Sequence, residues 1–141
     1  MSATTSELLN MINSKKSISD YLETAKSDIL EVSLSEYLAE LLQKSPLSKA
    51  QIIQRSGLER GYAYQIFNGE KEHPNRDKLI RLAFGMKLSV DETQQLLKVA
   101  NQAVLYPRNK RDSIILFALL HDANVINCDE LLEAQDEDIL R

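Results

Sequence analysis

The chain has 141 residues, 43% hydrophobic and 27% charged. That is enough apolar material for a buried core and too much for broad disorder. Four glycines, three prolines, few aromatics and no run of strand-length alternation predict an all-α protein. A single cysteine, Cys128, excludes an intramolecular disulfide framework and fits a reducing cytosol, and a net charge of −4 argues at first against nucleic acid, which needs Lys and Arg.

The helices are marked by capping pairs followed by apolar stripes at three- and four-residue spacing. Thr4/Glu7 precedes Leu8, Met11 and Ile12. Ser17/Asp20 opens a second helix with Ile18, Tyr21, Leu22, Ala25 and Ile29. Ser33/Glu36 starts a third with Leu34, Tyr37, Leu38, Leu41 and Leu42, which ends near Pro46. Ser48/Gln51 leads to Ile52 and Ile53, stopped by Gly57. Ile66 and Phe67 are stopped by Gly69, and Leu79 to Phe84 near Gly85. Ser89/Glu92 introduces Leu96, Leu97 and Ala100. After a break at Tyr106-Pro107, Asn109/Asp112 opens the apolar run Ile114 to Leu120, and Asn127/Glu130 marks a last helix carrying Leu131, Leu132 and Ile139.

This divides the chain into an N-terminal helical arm (1–32), a compact five-helix unit (33–102) and a C-terminal helical extension (103–141) expected to pack on that unit. No secretory signal is visible, and the most apolar run is too short for a bilayer, which needs ~20 residues, so a cytoplasmic protein with no membrane contact is expected. Charge is segregated along the same lines. Residues 1–47 carry −3, residues 48–87 carry +4, and residues 88–141 carry −5. A basic middle between acidic ends suits a local DNA-facing surface.

The segment LSKAQIIQRSGLERGYAYQIFNG, residues 47–69, reads as two short helices joined by a glycine turn, a helix-turn-helix. Leu58, Tyr62, Ala63, Ile66 and Phe67 form the inward face of the second helix. Arg60, Gly61, Tyr64, Gln65 and Asn68 face outward. Arg pairs bidentately with guanine and Gln with adenine, which is what major-groove reading needs.

The same stretch resembles the phage-repressor and xenobiotic-response-element family of bacterial regulators. The resemblance is carried by Leu34-x-x-Tyr37-Leu38, Leu47-Ser48, Ile53, Gly57-Leu58, Ile66-Phe67-Asn68-Gly69, Leu79-Ile80-x-Leu82-Ala83, Leu88-Ser89-Val90 and Leu96-Leu97, over roughly residues 33–100. It implies a lambda-repressor-like fold and double-stranded DNA bound by a homodimer through paired half-sites. It further implies base-edge contacts from Arg60, Gly61 and Gln65, with backbone contacts from Lys49 and Asn68. Glu59 stands where a small polar residue is usual, and would repel phosphate unless paired with Arg55 or Arg60. In the following loop, Lys71 and Arg76 are candidate phosphate contacts.

Arg108, Lys110 and Arg111 sit at a helix start, against the macrodipole. They read either as an anion or phosphate site or as partners of Asp112 and the acidic tail. Ile114 to Leu120, apolar almost all round, is expected to be buried on more than one side, as a second core against Leu96 and Leu97 or as a dimer interface. No catalytic, metal or cofactor site is expected: His73, His121 and Cys128 lie in no nucleophile or ligand spacing, and a zinc site at His121, Asp122 and Cys128 lacks a fourth ligand. The second functional class is an adaptor that keeps the fold but binds protein, such as a kinase, toxin or other regulator, through its terminal helices.

Overall fold

The structure, a computed structural model, describes residues 4–14, 17–19, 21 and 32–141, and over these it is all-helical, with no strand. Residues 1–31 and 32–141 form two separate compact units. The first contains α1 (Thr5–Ser14), where the Thr4 hydroxyl accepts from the Glu7 N–H at 3.1 Å. Leu22, Ala25 and Ile29 of the expected second helix, and Asp20 of its capping pair, lie outside the described residues.

The second unit contains α2 (Leu34–Lys44), α3 (Lys49–Ser56), α4 (Arg60–Phe67), α5 (Arg76–Met86), α6 (Val90–Val99), α7 (Lys110–Leu120) and α8 (Val125–Ala134). Its helix starts follow the caps. Ser48 and Ser89 make reciprocal capping boxes with Gln51 and Glu92, while Ser33, Asn75 and Asn109 each accept one first-turn N–H. Each such cap contributes about 1 kcal/mol. The last helix departs from expectation. Its cap is Asn124, accepting from Asn127 N–H at 2.8 Å, so Asn127 lies inside the first turn and Ile139 lies beyond the helix.

Gly85 is a second departure. It does not stop α5, which runs on to Met86 and ends with Lys87 in the left-handed region. It sits where α5 crosses α3: a Cβ there would lie 2.6 Å from the Ile52 carbonyl oxygen. Glycine lets the two backbones touch, and this pair makes the broadest helix–helix contact among the described residues.

One continuous core runs from Leu34 on α2 through Leu79, Ile80 and Leu82 on α5 to Leu132 and Leu140 near the end of the chain. The extension 103–141 therefore shares its apolar interior with the five preceding helices. α7 packs on α6 and α8, burying Ile115 and Ala118, but Phe117 and Leu120 are 51% and 71% exposed. It packs on both neighbours, with Ile114, Leu116 and Leu119 partly buried against the core that holds Leu96 and Leu97, and only the strip of Phe117 and Leu120 is left open. No helix among the described residues is long and apolar enough to cross a membrane.

Candidate nucleic-acid interface

The site is built around the turn between α3 and α4. Ser56, the last residue of α3, is fully buried. Its hydroxyl donates to the Ile53 carbonyl at 2.6 Å and accepts the Leu58 N–H at 3.2 Å, so one side chain satisfies both arms of the corner. Gly57 then takes φ +69°, where a side chain would be strained. Ala63, Ile66 and Phe67 fasten α4 to the core, with Ala63 fully buried.

Glu59 is the N-cap of α4. Its carboxylate oxygens accept from Gly61 N–H at 2.9 Å and Tyr62 N–H at 2.8 Å. Those two bonds, Tyr62's foremost, hold its carboxyl below the ordinary carboxylate range. Among the described residues Glu59 forms no ion pair with Arg55 or Arg60; Arg55 donates to the Gly85 carbonyl at 3.1 Å. Gly61 has a local role too: a Cβ at that position would lie 3.3 Å from the Glu59 carboxylate.

Outward on α4 lie Gly61, Gln65 and Asn68, with Gly61 and Asn68 exposed and Gln65 half-buried. Two tyrosines flank this strip. On the α3 side, the Lys49 ammonium and the Arg60 guanidinium lie 5.8 and 5.6 Å from the Tyr64 ring centroid, and Lys49 is also 5.4 Å from Phe67. On the α5 side, Lys71 and Lys78 lie 5.9 and 5.8 Å from the Tyr62 ring. Each ring thus draws two cations to one edge of the strip by its quadrupole. Both tyrosines, bulky for such a helix, become platforms for charge. A shallow recess lined by Ala50, Ile53, Leu58 and Tyr64 opens beside Arg60.

The structure thus gathers Lys49, Arg60, Gly61, Tyr64, Gln65, Asn68 and Lys71 around one helix. Asn68 turns back on its own loop, donating to Glu70 at 3.2 Å and accepting the Glu70 N–H at 2.9 Å. Arg76 does not join them. Its guanidinium grips Asp112 at 2.9 and 2.8 Å and donates to the carbonyls of Ala103 and Val104, so it serves to tie α5 to α7. Lys78 takes its place beside Tyr62. Lys78, in the first turn of α5, is signalled in the sequence only by its place in the basic middle.

Arg111 is likewise occupied, holding Asp77 at 3.1 and 2.9 Å and reaching the Asp138 and Ile139 carbonyls, while Lys110 reaches the Gln135 carbonyl at 2.7 Å. Of the expected partners, the tail is found, and Asp112 feels the Arg111 charge while its hydrogen bonds go to Arg76. Burial works to raise the Asp77 and Asp112 pKa values, yet their arginine partners and backbone donors outweigh it and both lie below normal. Cys128 is fully buried, and burial pushes its thiol up to about 12. His121 is exposed and stacks on Phe117 at 3.9 Å between ring centroids, and no group of three His, Cys, Asp or Glu side chains among the described residues is placed to hold a metal. Comparison with protein-family models, curated proteins and solved structures gives no match.

Proposed function

We propose that the chain is a sequence-specific double-stranded DNA-binding protein, a bacterial transcriptional regulator of the phage-repressor and xenobiotic-response-element kind, and a binding protein as opposed to an enzyme. On this reading residues 33–102 form a lambda-repressor-like unit acting in the cytosol. The observation that carries it is the outward strip of α4, in which Gly61, Gln65 and Asn68 run between two cation-bearing tyrosines. An α-helix fits the major groove, where Arg60 has the geometry for guanine and Gln65 for adenine. Lys49 and Lys71 on the two flanks suit the phosphates that border a groove, and phosphate contacts position while base contacts specify. The Glu59 carboxylate, turned onto its own helix, leaves more of the local field to the cations.

The test is selection of bound duplexes from a random pool, followed by titration of the selected site. Arg60→Ala is expected to weaken specific binding by roughly 1–3 kcal/mol. Unchanged affinity would remove Arg60 from base reading, and an unenriched pool would remove the DNA reading altogether.

The exposed Phe117 and Leu120 on α7 favour a second reading, that this apolar face binds protein, either another copy or an adaptor partner. A homodimer suits the DNA reading because one recognition helix covers few base pairs and paired half-sites lie about 34 Å apart. Salt separates the two readings. Binding through phosphates weakens steeply as salt rises, and an apolar docking face does not.

A further inference from the structure

The segment that follows α8 is fastened to the α3–α4 corner through one side chain. Leu140 is fully buried, and its N–H donates to Asp129 at 2.9 Å. Its carbonyl accepts from one end of the Arg81 guanidinium at 2.8 Å, while the other end donates to the Ser56 carbonyl at 3.2 Å. Ser56 is the residue whose hydroxyl organises the turn. The contact is close enough that a Cβ on Gly57 would lie 2.9 Å from Arg81. Asp129 lies 4.0 Å from the guanidinium, and the Arg81 Nε is buried without a partner, so the charge is held mainly at its two tips. Further pegs hold the segment down: Arg141 N–H on Asp77 at 3.0 Å, Lys78 on the Arg141 carbonyl, and Arg111 on the Asp138 and Ile139 carbonyls.

We propose that Arg81 is a positioning residue for the recognition surface, coupling the docking of residues 139–141 to the geometry of the α3–α4 turn. When the segment lifts, Arg81 loses the Leu140 carbonyl, and Asp129, which stays on α8, loses the Leu140 N–H and is freed to draw the guanidinium toward itself. The Arg81 side chain is only 17% exposed, and with the Leu140 carbonyl gone its guanidinium relaxes toward Asp129 and water. The Ser56 carbonyl then loses its donor, and the three-residue link to α4 loses the wall behind Gly57. The consequence for binding rests on the DNA reading above; the coupling itself does not.

The experiment therefore has two arms on the full chain. In the first, amide hydrogen exchange is followed at Leu58 in wild type, Arg81→Met, Leu140→Ala and the double variant. Each single change is expected to speed exchange about tenfold, and the double change by little more than either alone, the non-additivity of a connected pair. Additive effects, or a Leu58 amide indifferent to Leu140→Ala, overturn the coupling. In the second, the duplex selected for wild type is titrated with Arg81→Met and with Arg81→Lys. Methionine fills the space without the bonds and is expected to weaken specific binding about tenfold at a temperature where circular dichroism shows both variants folded, with lysine partly restoring it. Equal affinity for Arg81→Met and wild type overturns the positioning role. If wild type itself binds no duplex, the DNA reading falls, the positioning role falls with it, and the exchange arm still decides the coupling.

Discussion

Arg76 holds Asp112 by two parallel hydrogen bonds of 2.9 and 2.8 Å, joining the start of α5 to the start of α7. Asp112 also accepts the Tyr106 N–H at 2.9 Å, and its side chain is 8% exposed. A residue expected on a phosphate is thereby an internal clasp for the C-terminal extension.

It follows that Arg76 and Lys49 behave differently in salt titrations of DNA binding. Lys49→Ala is expected to reduce the slope of log affinity against log salt by about 1, as one phosphate contact would. Arg76→Ala is expected to leave that slope alone and to lower the thermal midpoint. Breaking a buried ion pair from one side costs roughly 3 kcal/mol. A slope that falls with Arg76→Ala would return that residue to the interface.

Gly85 offers a test of sign. In an unobstructed helix Gly→Ala stabilises by about 1 kcal/mol. Here the added methyl meets the Ile52 carbonyl oxygen at 2.6 Å, so Gly85→Ala is expected to destabilise by about 1–3 kcal/mol in urea unfolding. A stabilised variant would show that α3 and α5 do not meet backbone to backbone.

Acid sensitivity follows from Glu59, Asp77 and Asp112, whose folded pKa values all lie below their ordinary ones. For an acid so shifted, the stabilisation is complete above the unfolded pKa of about 4 and is lost as pH falls through the lower folded value. Stability is therefore expected to be level from pH 7 to about 5 and to fall below about 4. Asp77→Asn is expected to flatten that fall while lowering stability at pH 7. An equally steep fall in the variant would exclude Asp77 as a contributor.

Phe117 and Leu120 present apolar surface that is 51% and 71% exposed, with only the His121 ring stacked on Phe117. If a second copy occupies it, wild type sediments as a dimer and Phe117→Glu as a monomer with an unchanged circular dichroism spectrum. A wild type that stays monomeric at concentrations where it binds DNA would leave this face to a different partner.

Much of the site is local in origin, and local features are legible in order along the chain. The Ser48/Gln51 box, the turn at Gly57 and the stop at Gly69 depend on neighbours within a few residues, as does the separation of Ala63, Ile66 and Phe67 from the strip of Gly61, Gln65 and Asn68. Glu59 caps α4 through partners only two and three residues away, but a glutamate cap is rarer than Ser, Thr, Asn or Asp and gives no signal by residue type. What distance in sequence hides is who claims each cation. Arg76 meets Asp112 across 36 positions and Arg111 meets Asp77 across 34, so nothing near either residue tells that its charge is spent inside. Gly85 was read as a stop because its reason for being glycine, the Ile52 carbonyl, lies on another helix. The sequence by itself determined most helices of the second unit, the caps at Ser33, Ser48, Ser89 and Asn109, and the character of the α4 surface, since backbone hydrogen bonding and periodicity act at short range. Only the tertiary structure decided which basic side chains remain free for a partner and which close the fold, because an ion pair is chosen by proximity in space.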